Sequence, residues 1–512
     1  PEETRDLLLQ RLAHGNLLQR GGAATSLALA MKELRKEELE QLMQDAQLIA
    51  RAEFVELSPA DDGRLKLIDE LLVNLDERQK EAAMEDLLKI SVSTLRSEEQ
   101  TLRDASVQTS LALFKECFQV GMRQQDWSLL NSFFNYVCTL LVEFDLNTHV
   151  ESATIQLLCL CLSHIKQSLE LEQEMTRKTA KLHVSPENLL LSKLDERVRD
   201  KLTIETFILR HDNNDDVRSG ANTVWRFLAG SSIATVFRLV EKIADRIVLL
   251  LSSVREEAKD VDEEETEMLT DSKTARCLAS VRELANRFAN RESNLAGDDL
   301  FAKLIRHLQH LDEASSTSTT RKISVMEFAK IVAQEAQHGQ LHVLSSQLES
   351  VIVANVEDAD EMLRMKSISL IKTLASRRVN VTGTVVSDLL GKIFSFSRPT
   401  DELSQASGEE KGGDVVDEEG REEDGDEDEE SSLIEHMIDA GVRQQISASE
   451  SYQHFMYFAS NAPEVVLPNF FSELDNILNS TSVDPVKVLF LVHQTIKASR
   501  SLLVDHIPVV FQ

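Results

Sequence analysis

An all-α chain, built as an α-α superhelix of stacked helical hairpins, is the fold class that the sequence predicts. Three observations carry the prediction. The 512 residues include only 17 glycines and 8 prolines, well below the average usage of roughly 7% and 5%. Sandwiches and barrels need turn signals roughly every 8–12 residues, and those are missing. Apolar residues recur at helical spacing along most of the chain, and one pattern of residues returns at distant positions, as repeat architectures require. A chain this long exceeds one compact core of usual size, so several domains or one extended array are expected.

In chain order, RLKLIDELLVNL places Leu65, Ile68, Leu71, Leu72 and Leu75 on one helical face. Similar stripes run through 104–122, 128–145, 233–253, 276–290, 343–354 and 433–439. Ser185 and Pro186 read as a cap and first helical residue, because a proline there removes an N–H that has no helical partner. Asp484 and Pro485 read the same way. The run Val488 to Val492 is apolar all round, which predicts a helix buried on several sides. Breaks are expected at SPADDG (58–63), at the acidic stretch 256–267 and at the Ser/Thr stretch 314–322. Residues 400–432 hold almost no apolar side chain and dense like charge. Burial there cannot offset chain entropy, so the segment reads as a disordered insertion. The expected organisation is therefore a solenoid over 1–399, the acidic insertion 400–432 and further repeats over 433–512, with truncation at both ends.

Charge narrows the function. With 87 acidic against 55 basic residues the formal charge is −32. Nucleic-acid binding relies on Lys and Arg displacing counterions. No basic run of four or more occurs, so direct nucleic-acid binding is disfavoured. Few Tyr and Trp are available as stacking platforms. No apolar stretch approaches the roughly 18–20 residues that span a bilayer, so membrane insertion is not expected. Cys117, Cys138, Cys159, Cys161 and Cys277 are odd in number and sit in apolar helical contexts. They predict buried, reduced thiols in a cytoplasmic or nuclear protein.

The recurring pattern is read in HDNNDDVRSGANTVWRFLAG and DADEMLRMKSISLIKTL. Asp212 is followed by Val217, Arg218, Ala221, Trp225 and Leu228. Asp358 is followed at the same offsets by Leu363, Arg364, Ser367, Ile371 and Leu374. A third copy has Ser97 in the Asp place, then Leu102, Arg103, Ser106 and Leu113, and a weaker one runs from Asp271 to Ala285. The Asp is expected to cap the second helix of a hairpin. The aliphatic, small and large positions share one face, with the small residue admitting a neighbouring helix. The Arg is expected to reach the turn Asp of its own or an adjacent unit. Trp225 is accordingly a core residue, and Arg218 and Arg364 are structural.

These residues resemble the second-helix signature of HEAT repeats, in the HEAT/armadillo group of α-solenoids. The match covers about 40 residues. The resemblance implies stacked hairpins that bind partners, in roles such as scaffold subunit, transport receptor or chromosome-organising subunit.

No residue pattern points to catalysis or to a cofactor. Gly391-Lys392 lacks the upstream glycine of a phosphate-binding loop. Cys159 and Cys161, two apart, point to different faces of a helix. His307 with His310, and His338 with His342, share faces at helical spacing, but a metal would need a third converging ligand. The acidic insertion offers Glu418, Glu419, Glu422, Glu423, Asp424, Asp426, Glu427 and Asp428 as an electrostatic bait for a basic partner. The expected function is a non-enzymatic scaffold or adaptor subunit of a hetero-complex that binds protein partners. The alternatives are a carrier or chaperone of basic cargo, or a chromosome-organising subunit.

Overall fold

The computed structural model describes residues 2–50, 57–58, 60–143, 147–176, 192–229, 233–257, 263–289, 296–314, 318–395, 446–447, 449–479 and 485–499. Among them the helices, in order, are α1 Glu2–His14, α2 Leu17–Lys32, α3 Lys36–Asp45, α4 Asp61–Asn74, α5 Glu77–Thr94, α6 Gln100–Gln124, α7 Ser128–Glu143, α8 Thr148–Thr176, α9 Glu196–Leu209 and α10 Asp215–Ala229. They continue as α11 Ile233–Glu257, α12 Glu263–Ala289, α13 Ala296–Ala314, α14 Thr319–Glu335, α15 His338–Val356, α16 Glu361–Ser376, α17 Thr382–Ser395, α18 Glu450–Asn461, α19 Pro463–Asn479 and α20 Pro485–Ala498. No described residue lies in a strand. The chain forms two compact units, Pro1–Ser280 and Val281–Gln512, with the boundary inside α12.

Each unit is built as two rows. In the first, α2, α4, α6, α8 and α10 pack side by side in chain order, while α5, α7, α9 and α11 form the facing row. In the second, α14, α16, α18 and α20 form one row and α13, α15, α17 and α19 the other. Hairpin partners such as α5 with α6, α9 with α10, and α15 with α16 cross between rows. This is the arrangement expected when a short helical pair cannot bury its apolar face alone and covers it with the next pair. In the first unit one apolar cluster runs unbroken from Leu12 to Leu228.

The described parts of the stripes read from the sequence lie in α4, α6, α7, α11, α12 and α15, with Leu75 as the residue that caps α4. The stripe at 433–439 and the Ser185–Pro186 cap lie outside the described residues, as does Asp484. Three expectations change. The break at 58–63 is shorter than expected, because Asp61 already opens α4. Of the Ser/Thr stretch, Thr319 to Lys322 form the first turn of α14, where the Ser318 hydroxyl accepts from Arg321 N at 3.4 Å. The stretch 256–267 is only partly a break, since α12 has begun by Glu263. The apolar run in α20 is buried on one side only: Val488, Phe490 and Leu491 are covered, whereas Leu489 is exposed.

Two close approaches fix the local packing. Gln125 ends α6 in the left-handed conformation, with φ 59°. The chain then brings the Trp127 ring against Gly121, where an added Cβ would lie 2.6 Å from the ring. In α4 a Cβ on Gly63 would lie 2.2 Å from the carbonyl oxygen of Leu12, so glycine lets α1 cross there.

Candidate functional site

The motif residues meet in the turns that start the second helices. Before α10, the Asp212 carboxylate accepts from Asn214 N at 2.7 Å, and the Asn214 side chain accepts from Asp216 N and Val217 N at 2.9 and 3.4 Å. Before α16, Asp358 accepts from Asp360 N at 3.0 Å, and Asp360 accepts from Leu363 N at 3.0 Å. The motif Asp thus stands two residues ahead of the capping side chain. The expectation that it is itself the cap is corrected: Asn214 and Asp360 cap the helices. A short carboxylate reaches the N–H two places on most readily, which folds the turn and leaves the helix start to the next side chain.

The arginines bind main chain. Arg218 Nη1 donates to the Asp212 carbonyl at 2.9 Å, and Arg364 Nη1 donates to the Asp358 and Ala359 carbonyls at 2.7 and 2.8 Å. Arg103 does the same to the Ser97 and Glu98 carbonyls, at 2.7 and 2.8 Å. Guanidinium groups therefore take the carbonyls that a tight turn leaves without partners. The expected contact to the turn carboxylate is not made by Arg218, whose side-chain ion pair is with Asp215. The Asp212 carboxylate instead reaches Arg276 of α12 at 2.7 Å, and Asp358 lies 3.5 Å from Lys322 of α14.

A further copy escaped the sequence reading. The Ser58 hydroxyl accepts from Ala60 N at 3.3 Å and from Arg64, six residues on. The signal was the Ser-x5-Arg spacing, hidden by Gly63 in the aliphatic place. The weak copy proposed at Asp271 is not a turn, since α12 runs through it.

Val217, Ala221, Leu363, Ser367 and Ile371 are fully buried, and Trp225 nearly so. Trp225 packs against Phe207 with ring centroids 5.4 Å apart, and the Arg210 guanidinium covers it at 5.0 Å. The closest helix approach in this copy is at Gly220, beside the small motif residue. A Cβ there would lie 2.3 Å from Ile155 of α8. Ser367 uses its hydroxyl on the Leu363 carbonyl at 2.9 Å. The acidic residues Glu418, Glu419, Glu422, Glu423, Asp424, Asp426, Glu427 and Asp428 lie outside the described residues.

His338 and His342 meet edge to face at 5.1 Å between centroids, and His310 lies 3.4 Å from Glu313. Among the described residues no group of three His, Cys, Asp or Glu side chains is placed to hold a metal, and no helix is long and apolar enough to cross a membrane. None of the five cysteines is in a disulfide. Burial pushes the Cys117 thiol up to about 12, helped by Glu116.

One surface feature is shaped for contact. A groove of about 790 Å³ lies between α17 and α19. Gly391 opens it, since a Cβ there would meet nothing within 4 Å. Asn380 and Asn469 flank Gly383, and Ser387 donates to Glu473 at 3.1 Å across it. Lys392, in the same wall, is held by Glu357 and Asp388 at 2.7 Å each. The lining is polar and carries more acid than base.

Rows of hairpins joined by equivalent turns define an all-helical repeat protein of the solenoid class. No family model and no curated protein matches the chain. Among solved structures the chain is similar to an engineered protein at 12% identity and TM-score 0.25, covering 97% of this chain and 98% of that one. It is similar also to Kap121p at 13% identity and TM-score 0.28, covering 99% of this chain and 47% of that one. A third likeness, to Kap95p, has 13% identity and TM-score 0.19, covering 98% and 69%. The chain spans about half the length of the Kap121p chain.

Proposed function

We propose that this chain is a non-enzymatic scaffold that binds protein partners on the surface of its helical rows, as a subunit of a larger intracellular assembly. The observation that carries the reading is the recurrence of one turn geometry at Ser97, Asp212 and Asp358, in both units. Such recurrence spends side-chain chemistry on holding repeats in register. What is left for function is a long outer surface, and repeat arrays use that surface for partners. Five cysteines without a disulfide fit a reducing cytoplasmic or nuclear setting.

The groove between α17 and α19 is the face we assign to partner contact. Its glycines, amides and hydroxyls suit the main chain of an extended segment. The carboxylates of Glu473 and Asp388 favour a basic side chain on it. A second reading, a carrier of basic cargo, draws on the formal charge of −32 and on the acidic stretch 409–430.

Affinity purification of the tagged chain at low and at physiological salt tests both. A stoichiometric protein partner retained at both salts supports the scaffold. Cargo held by charge is lost steeply as salt screens it. Turnover by the isolated chain, or no stoichiometric partner at either salt, rules out the scaffold reading. Gly391→Trp, whose Cβ would stand in open space at the groove, should reduce partner retention at least tenfold while leaving the melting temperature nearly unchanged.

A further inference from the structure

In α18 of the motif-bearing rows the residue four places after the helix-capping position is the neutral Gln453, but elsewhere along them it is typically a cation. It is Arg64 after Ala60, Arg103 after Glu99, Arg218 after Asn214, Lys322 after Ser318 and Arg364 after Asp360. In α8 the cap is Asn147, whose side chain accepts from His149 N and Val150 N, and the residue four on is Glu151. The charge at this one position is reversed.

The reversal is answered from another helix. Arg276 Nη1 of α12 lies 2.9 and 3.0 Å from the two Glu151 oxygens and 2.7 Å from Asp212 Oδ2. The side chains are 3%, 3% and 10% exposed for Arg276, Glu151 and Asp212, so the cluster is out of water. One guanidinium therefore answers two buried carboxylates drawn from α8 and from the turn before α10. Other groups that face it include Lys273 and the buried Cys277 thiol, both on α12, and the Asn213 amide, which donates to the Ser272 hydroxyl at 2.9 Å.

We propose that the Glu151–Arg276–Asp212 cluster is a proton-gated tie between successive repeats, holding α12 to α8 and to the α10 turn most firmly when one of its two carboxylates carries a proton. Two carboxylates against one arginine, away from solvent, leave a negative charge that desolvation penalises. A proton removes that charge while the remaining carboxylate keeps its hydrogen bonds to Arg276. Burial, only partly offset by Arg276 and reinforced by Asp212, raises the Glu151 carboxyl to about 7. A carboxyl raised in the folded state stabilises it fully below its unfolded value. That contribution is lost as pH rises to the folded value and is flat above it. The loosening thus falls between about pH 4.5 and 7, within reach of cellular pH.

Native-state hydrogen exchange on the full chain, read on peptides covering Ser272 to Ser280 and corrected for intrinsic exchange rates, tests this. In the wild type, protection there should fall about fifteenfold between pH 5.5 and 7 and level off only near pH 8. In α2, separated from α8 by α4 and α6, it should not. Glu151→Gln should flatten the profile and leave protection at pH 8 at least as high as in the wild type. Asp212→Asn, the second variant, removes a neighbouring charge and should shift the fall to lower pH. A flat wild-type profile, or the same slope in Glu151→Gln, overturns the proposal.

Discussion

Asp212 and Arg218 sit six residues apart and face each other across one turn, yet they are joined through a carbonyl and not through the Asp212 carboxylate. Replacing Asp212 by Ala leaves that carbonyl in place. A double-mutant cycle of Asp212→Ala with Arg218→Ala should therefore be additive to within about 0.5 kcal/mol. The cycle of Asp212→Ala with Arg276→Ala should show a coupling above about 1 kcal/mol, because those side chains touch inside the protein. Urea unfolding of the single and double variants measures both. Asp360→Ala should cost about 1 kcal/mol, the usual loss for a helix cap. Gly121→Ala should cost about 1–3 kcal/mol, because its methyl group meets the Trp127 ring.

Much of this was legible in the residues. Val217, Leu363 and Trp225 announced themselves as core through spacing alone. The Asp–Arg interval marked the turns at Asp212 and Asp358 but failed at Asp271, and it mistook which acceptor the arginine uses. Spacing carries distance along the chain, while choice of acceptor depends on how a turn aims its carbonyls. Ser58 and Arg64 were missed because α1 crosses at Gly63 and excludes the aliphatic residue that completes the pattern. Glu151 was invisible, since its meaning comes only from comparing equivalent positions in three dimensions.

At the scale of elements, neighbouring repeats are registered by charge as well as by apolar contact. Arg238, Lys242 and Arg246 fall at four-residue intervals on α11. They meet Asp200 at 2.6 Å, Asp200 at 2.7 Å and Glu205 at 2.6 Å on α9. Burial pushes the Asp200 carboxyl up, but Arg238 and Lys242 together outweigh it and hold the group below its ordinary value. A carboxyl lowered in this way adds stability above its unfolded value and loses it as pH falls through the folded one. Asp200→Asn should therefore destabilise by about 1–2 kcal/mol at neutral pH, a figure kept modest by the exposure of both cations. The difference from the wild type should vanish in strong acid. A constant difference across pH would show that the loss comes from packing. The helix stripes were readable because burial on one face forces a period near 3.6. The linkers were not, because Thr319 to Lys322 combine loop composition with a usable cap at Ser318.

For the whole molecule, function is proposed to lie on the outer surface of stacked repeats, and the composition of the acidic stretch predicts that it adds little to the core. Deleting 408–431 should leave the melting temperature within a degree or so of the wild type, since sparse apolar content gives it little to bury. A large drop would mean that the stretch packs against the helices. The recurring residue pattern made the repeat class readable, whereas the groove proposed for a partner depends on three-dimensional shape, which helical periodicity does not encode. The most direct measurement is a hydrogen-exchange footprint of the stoichiometric partner on the full chain. The account predicts new protection spread over successive helices of one row, α15, α17 and α19, and centred on the groove at Gly391. Protection confined to a single turn, or absent from every helical row, would contradict it.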